Sequence, residues 1–312
     1  TLNALWIITA AVSIYLVAYR YYSLYIADKV MQLDPTRATP AVRRNDGLDF
    51  VPTNKYVLFG HHFAAIAGAG PLVGPVLAAQ MGYLPGTLWI IVGVVLAGAV
   101  QDFMVLFVST RRDGRSLGDL VKTELGAVPG MIALVGTFVI MVIILAVLAL
   151  IVVKALAASP WGTFTVAATI FIAMFMGVYS RYIRPGRVGE VSVMGLLLLI
   201  GSIVLGGHVA DSATWGPMFT FDAKQLTWML IIYGFIASVL PVWLLLAPRD
   251  YLSTFLKIGT IVGLALAMVF VAPDLRMPAV TKFIDGTGPA WSGSLFPFIF
   301  ITIACGAVSG FH

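Results

Sequence analysis

The chain has 312 residues, of which 60% are hydrophobic and only 11% are charged. Soluble globular domains carry about 25% charged residues, and a domain of this size could not bury so many apolar side chains. The composition therefore excludes an ordinary soluble domain and a disordered chain, and the single cysteine, Cys305, excludes a disulfide scaffold. The net charge of +5 comes from basic residues between apolar runs, so we interpret it as a topology signal and not as nucleic-acid binding.

Nine apolar runs are candidates for membrane-spanning helices, each of which needs about 20 residues at about 1.5 Å per residue. In chain order the predicted spans are about 3–27, 57–80, 84–111, 128–157, 161–181, 188–207, 224–247, 250–272 and a ninth that begins near 294. No alternating ten-residue pattern recurs, which argues against a membrane β-barrel. The sequence therefore predicts an all-α, polytopic membrane helix bundle.

The distribution of Lys and Arg gives the predicted orientation. If the nine spans alternate in direction, fifteen of the 19 basic residues fall on one side and four on the other. Short cytoplasmic loops are enriched in Lys and Arg. We therefore expect residues 28–55 to be cytoplasmic and residues 273–292 to be external.

The second predicted span contains three glycines and two prolines in the nine residues 67–75. Each interior proline removes a backbone hydrogen bond at a cost of about 3 kcal/mol, so we predict that this run does not form a regular helix. A half-helix that begins after such a break presents free N–H groups and a positive dipole end, which suit an anion. A simple kink, or glycines that allow close helix packing, would explain the same residues. The predicted substrate-binding residues in this run are Gly68, Gly70, Pro71, Gly74 and Pro75.

The seventh predicted span contains Pro241, which indicates either a plain kink or a second break, and we add it to the predicted substrate-binding residues. Two interrupted helices that lie five spans apart and run in opposite directions are typical of inverted-repeat transporters. We predict a single transmembrane domain over 1–312 with a LeuT/APC-like inverted repeat. Its first repeat covers about 57–207, and part of the second covers about 224–312.

Three ionisable residues are predicted to handle protons. Asp102 is the only one of fourteen carboxylates that lies well inside a predicted span, and such an acid is costly in lipid unless it has a function or a partner. Its alternative role is to hydrogen-bond the broken backbone. His61 and His62 begin the second span and titrate near neutral pH, although interfacial anchoring would also explain them. Because adjacent histidines point about 100° apart on a helix and no third ligand is nearby, we predict no metal site.

Several runs carry a family resemblance. They are Phe59–Pro75, Gln101–Met104, Ser109–Ser116, Arg184–Arg187, Leu246–Tyr251 and Ala304–His312. In these runs the chain resembles the carbon starvation protein family. The resemblance implies a transporter of the bacterial inner membrane that is induced by starvation and takes up peptides or pyruvate, driven by protons. Family members are longer, so we expect this chain to be a truncated piece that lacks an N-terminal span and the C-terminal half.

The residues and the resemblance together predict a proton-coupled secondary transporter with no cofactor. Its expected partners are a peptide or pyruvate, protons and the lipid bilayer, with no nucleic acid. The alternative is a solute-binding membrane sensor or a channel, although no ring of like side chains indicates a pore. No metalloprotease or phosphate-loop motif is present, so we predict that the protein is not an enzyme.

Overall fold

The computed structural model describes residues 3–47, 50–290 and 292–307. In chain order the helices are α1 Ala4–Val30, α2 Pro40–Arg43, α3 Lys55–Ile66, α4 Ala69–Ala78, α5 Tyr83–Arg111, α6 Leu117–Leu125, α7 Ala127–Leu156, α8 Pro160–Ile183, α9 Val188–Asp211, α10 Ala223–Val239, α11 Leu246–Val271 and α12 Leu295–Ala307. Within the described residues there is no strand, only an isolated bridge between Asn3 and Asp274. The prediction of an all-α chain is confirmed for this part.

Helix starts follow from local sequence. At α8, Ser159 accepts a hydrogen bond from the Gly162 N–H group, and Pro160 occupies the first helical position, where no backbone donor is needed. At α10, the Asp222 carboxylate accepts from the Gln225 N–H group at 2.7 Å. The Gln225 side chain accepts from the Asp222 N–H group at 3.0 Å, which completes a capping box.

Six of the helices are long and apolar enough to cross a membrane, namely α1, α5, α7, α8, α9 and α11. Helix α7 is the clearest of them, because the most apolar stretch of Ala127–Leu156 has no buried residue. Phe138 and Leu145 expose 62% and 68% of their surface. A helix that is apolar all round and yet exposed is suited to lipid and not to water.

Four predicted spans, the second, seventh, eighth and ninth, need comment against the helices observed. The second is divided into α3 and α4. The seventh, predicted over 224–247, ends as a helix at Val239, and the next helix begins at Leu246 and not at 250. The ninth begins at Leu295 as expected, but its end at 308–312 lies outside the described residues. Proline accounts for the early end of α10, because Pro241 has no N–H group to continue the helical bonding.

The chain forms two compact units. The first takes in Thr1–Thr53, Ile66–Val139 and Ile261–His312, and the second takes in Asn54–Ala65 and Ile140–Thr260. The first has a core of Ala78, Met81, Ile299 and Ile303. The second has a core of Met176, Val191, Leu199 and Leu252. The predicted single domain with two inverted repeats is a different division of the chain, and it stays a prediction.

Candidate functional site

The second predicted span is interrupted at Ala67 and Gly68. Helix α3 ends at Ile66, and α4 begins at Ala69. Gly68 precedes α4 in an extended conformation, with φ −82° and ψ −169°. Because glycine has no side chain, it makes no side-chain cap on the first N–H groups of this ten-residue helix. The start of α4 therefore has no side-chain cap, and the anion site predicted there stays a prediction.

The interruption is shorter than predicted. The expectation that the whole run 67–75 would avoid a regular helix is wrong, because Gly70, Pro71, Gly74 and Pro75 all lie inside α4. Pro71 is tolerated because it falls in the first turn, where its missing N–H group would have had no helical partner. Pro75 lies within the helix and removes one backbone bond there.

Gly74 lies against another helix. A Cβ atom built on Gly74 would be 2.0 Å from the carbonyl oxygen of Thr302 on α12. Only glycine allows the backbones of α4 and α12 to approach this closely. Close helix packing, the alternative considered from the sequence, therefore explains Gly74 directly, and its role in substrate binding stays a prediction.

Pro241 lies in a second interruption. Helix α10 ends at Val239, and residues 240–245 are not helical. The helix is therefore interrupted here and not merely kinked. The carbonyl oxygens of Trp243 and Leu244 in this segment lie against Gly177 on α8, at 2.8 and 2.7 Å from a Cβ atom built there. The second predicted break is thus a real interruption of the helix. Within it, the Pro241 and Val242 carbonyl oxygens accept from the Leu244 and Ala247 N–H groups.

A polar stripe on α11 faces α3 within the second unit. Asp250, Thr254 and Lys257 follow one another at helical spacing, so their side chains share one face of α11. The Asp250 Oδ2 atom lies 3.2 Å from the Nδ1 atom of His61. The Lys257 Nζ atom donates to the carbonyl oxygen of Ala64 at 2.7 Å. Asp250 and Lys257 on α11 therefore contact the last two turns of α3.

Thr254 and Gly60 bring the two helices together. The Thr254 hydroxyl group donates to the Gly60 carbonyl oxygen at 2.6 Å and is buried. A Cβ atom on Gly60 would lie 2.8 Å from the ring of Tyr251. The Tyr251 hydroxyl group in turn lies 2.7 Å from the Ser192 hydroxyl group on α9. The polar stripe is therefore part of a packed contact among α3, α9 and α11.

The sequence prediction missed this stripe. It put Asp250 at the first residue of the predicted span 250–272. In the structure α11 begins at Leu246, so Asp250 and Lys257 are its fifth and twelfth residues. The spacing of Asp250, Thr254 and Lys257 within one apolar run was the signal that pointed to this stripe.

The other predicted proton-coupling residues are distributed between the units. His61 and His62 are half-buried on α3 in the second unit, while Asp102 is half-buried on α5 in the first. Asp102 follows the π-helical turn Val94–Gly98 in α5. Within the described residues, no group of three or more His, Cys, Asp or Glu side chains is placed to hold a metal ion. The proton-coupling role of these residues stays a prediction.

The sequence matches a known family and several curated proteins. The family described as carbon starvation protein CstA matches residues 3–312. The chain is 72% identical to the pyruvate/proton symporter BtsT and 74% identical to the peptide transporter CstA, both of Escherichia coli. It is 64% identical to the peptide transporter CstA of Campylobacter jejuni. Each comparison takes in 100% of this chain but only 43%, 44% and 44% of the respective relative. No solved structure matches the chain.

These findings agree with the helices described above. The relatives are named as transporters, and six helices in the described part of the chain are long and apolar enough to cross a membrane. The chain is therefore part of a multi-pass membrane protein, although it spans less than half the length of these relatives. With its family match over 3–312, the chain belongs to the carbon starvation protein CstA family.

Proposed function

We propose that the chain is part of a proton-coupled secondary transporter that takes up pyruvate or peptides across the bacterial inner membrane. The two Escherichia coli relatives support this proposal, one named a pyruvate/proton symporter and the other a peptide transporter. The six candidate spans support the membrane location. A transporter also accounts for interrupted helices, which are costly in lipid unless they border protein or a water-filled cavity.

The observation that carries the proposal is the start of α4 at Gly68. A helix of ten residues begins there with no side-chain cap, and its first N–H groups point toward the interruption. Pyruvate and peptides both carry a carboxylate, which the N-terminal end of a helix attracts. We place the substrate carboxylate at Gly68 and Gly70, with Pro71 and Pro75 holding α4 in position. Gly74 holds α4 against α12.

We also propose that the helices follow a LeuT/APC-like inverted repeat. Two interruptions support it, one between α3 and α4 and the other between α10 and α11. Transporters of this plan bind substrates at the N-terminal ends of half-helices and coupling ions at unwound carbonyl groups. On this plan, Pro241 marks the second interrupted helix, as the glycines and prolines of residues 67–75 mark the first.

Asp102, His61 and His62 are the proposed groups of the proton path. Ionisable side chains inside spans commonly form proton relays in transporters. The contact between His61 and Asp250 supports a place for His61 in such a relay, because a histidine that gains a proton strengthens its bond to a carboxylate. Asp102 lies within a candidate span, where a carboxylate needs a function or a partner.

The test is uptake by the full-length protein in proteoliposomes. A pH gradient, acid outside, should drive accumulation of labelled pyruvate or of a di- or tripeptide above its equilibrium level. Gly70→Leu should abolish transport while the protein still inserts, because the side chain fills the approach to the first N–H groups of α4. Gly234→Leu, on α10 at a position with no atom within 4 Å of a built Cβ, is the control. No pH-driven accumulation of either substrate class would refute the proposed function.

A further inference from the structure

An apolar groove runs between α1 and α5 within the first unit. Both helices are candidate membrane spans. The groove has a volume of about 230 Å³ and is lined mostly by aromatic and aliphatic side chains. Those that define its length are Tyr15, Tyr22 and Ile26 on α1 and Val94, Ala99 and Phe103 on α5. The space between the two helices is therefore suited to a hydrocarbon chain and not to a polar solute.

The two helices depart from regular α-helical geometry where they line the groove. Helix α1 has π-helical turns at Ala18–Tyr22 and Ile26–Val30, and α5 has one at Val94–Gly98. Side chains from all three turns line the groove. Single π-helical turns inside α-helices occur frequently at functional sites. Their position on both sides of the groove supports a binding site there and not a chance gap between two helices.

The groove leads into a second cavity near the C-terminal ends of the two helices, and this cavity is basic. It has a volume of about 310 Å³, shares Phe103 with the groove, and is lined by Arg37 and Arg111. The Arg37 guanidinium group donates to the Arg111 carbonyl oxygen at 3.1 Å, and the Arg111 guanidinium group donates to the Gln32 carbonyl oxygen at 3.0 Å. The Arg111 guanidinium group also lies 4.4 Å from the centre of the Phe107 ring. Two positive charges are thus held at one end of the groove.

The two arginines have N–H donors left for an anion. Among the described residues, neither arginine forms an ion pair with a carboxylate. The Asp34 carboxylate lines the same cavity, but its Oδ1 atom accepts from the Thr36 N–H and hydroxyl groups at 2.9 and 2.6 Å. These bonds, more than the charges of Arg111 and Arg37, hold the pKa of Asp34 below its usual range. Two arginines and one carboxylate leave the cavity with a net positive charge.

The length of the groove fits one leaflet of a bilayer. Val94 and Phe103 are nine positions apart on α5, which is about 14 Å at about 1.5 Å per residue. The hydrocarbon core of a bilayer is about 30 Å thick, so the chains of one leaflet take up about 15 Å. Arg111 lies a further eight positions along α5, at the level expected of headgroups. The predicted orientation makes this the cytoplasmic leaflet, where basic pockets between helices bind anionic lipid headgroups.

We propose that the groove between α1 and α5 binds one anionic phospholipid of the cytoplasmic leaflet. An acyl chain lies between the two helices, and the headgroup phosphate accepts hydrogen bonds from Arg37 and Arg111. Bonds from arginine to phosphate are charge-assisted and commonly bidentate. A zwitterionic phospholipid offers the same chains but no net negative charge, so it binds more weakly. The bound lipid joins α1 to α5, and this role is independent of the solute that the protein carries.

The experiment measures lipid binding to the full-length protein in detergent. The probe is phosphatidylglycerol with a photoactivatable group at the end of one acyl chain. Its competitors are unlabelled phosphatidylglycerol, phosphatidylcholine with the same chains, and glycerol 3-phosphate. We expect crosslinks to α1 and α5, and competition by phosphatidylglycerol that is at least about tenfold stronger than by phosphatidylcholine. Glycerol 3-phosphate should not compete, because it has the anion without the chain.

Three outcomes would overturn the inference. Equal competition by the two phospholipids would make the groove an unselective lipid contact. Competition by glycerol 3-phosphate would make the basic cavity a site for a free phosphate. The absence of crosslinks to either helix would mean that another part of the longer protein covers the groove. None of these outcomes depends on transport, so the proposed function would stand in each case.

Variants with matched controls separate the headgroup from the chain. The double variant Arg37→Gln, Arg111→Gln keeps hydrogen-bonding side chains but removes both charges, so phosphatidylglycerol should bind at least about tenfold more weakly. Arg187→Gln, at an exposed arginine of the second unit, is its control. Ala99→Trp fills the groove and keeps both arginines, so crosslinking should fall by at least about tenfold. Leu96→Trp, at an exposed position of α5 outside the groove, should crosslink as the wild type does. Unchanged crosslinking in Ala99→Trp would overturn the inference even if the arginine variant fails to insert.

Discussion

The Nδ1 atom of His61 lies 3.2 Å from the Oδ2 atom of Asp250, and both side chains are partly exposed, at 41% and 34%. The contact joins the first half of the interrupted span, α3, to α11. A histidine that faces a carboxylate changes the strength of the contact when it gains a proton near neutral pH. The packing of α3 against α11 therefore includes a polar contact as well as apolar contacts.

This contact predicts that the two adjacent histidines differ in function. His61→Gln keeps a hydrogen-bonding side chain but cannot carry a charge beside Asp250, so the rate of transport should depend less on pH than in the wild type. A partly exposed ion pair contributes up to about 1 kcal/mol, so the change in rate at acid pH should be about fivefold or less. The measurement is the initial rate of substrate exchange as a function of pH. His62→Gln is the control, since His62 points about 100° away on the helix. Equal profiles for the two variants would contradict the assignment.

Gly74 gives a prediction on stability. A methyl group at this position would lie 2.0 Å from the Thr302 carbonyl oxygen, so Gly74→Ala should force α4 and α12 apart. Such overpacking costs about 1–3 kcal/mol. We expect a clear fall in the melting temperature of the protein in detergent.

Gly136 on α7 is the control for Gly74. It has no atom within 4 Å of a built Cβ, so Gly136→Ala should leave the melting temperature equal or slightly raised. If Gly74→Ala melts at the wild-type temperature, the packing of α4 against α12 is looser than the structure shows.

The sequence predicted helix positions well where the length and apolar content of a run decide whether it forms a membrane-spanning helix. The predicted spans 84–111 and 128–157 agree closely with the helices Tyr83–Arg111 and Ala127–Leu156, because long apolar runs have one stable form in lipid. The interruption at Gly68 was also predictable, since glycine and proline weaken helices locally.

The charged part of the site was not predictable in the same way. Asp250 and Lys257 contact α3 because α11 begins as early as Leu246. Composition alone specifies the ends of helices poorly, so this contact could not be predicted. At Pro75 the sequence predicted an interruption where the structure has a helix. Proline has a strong preference against helix interiors, yet Pro75 lies inside α4, where packing against α12 overrides the local preference.

The distribution of basic residues predicts the orientation of two loops. Thr39, before α2, and Thr287, between α11 and α12, are both exposed. Cysteine introduced at Thr39 should react with a membrane-impermeant thiol reagent only from the cytoplasmic side, and cysteine at Thr287 only from the outside, because Lys and Arg are enriched on the cytoplasmic side. Intact cells and inverted vesicles are compared, with Cys305→Ser in both variants. Labelling of both cysteines in intact cells would refute this topology.

Asp102 gives the most direct test of the proton path in the first unit. It is half-buried on α5, inside a candidate span, and an ionised carboxylate there is costly unless it has a function or a partner. Asp102→Asn mimics the protonated carboxyl group, so substrate should still bind and equilibrium exchange should persist. Uptake driven by a pH gradient should fall by at least about tenfold, because an amide does not take up and release a proton. Glu124→Gln, at an exposed carboxylate on α6 that pairs with Arg112, is the control and should accumulate substrate as the wild type does. Retained accumulation in Asp102→Asn would assign this carboxylate to hydrogen bonding of the backbone, since asparagine also accepts and donates hydrogen bonds, and would leave the proton path to His61, His62 and the polar stripe of α11.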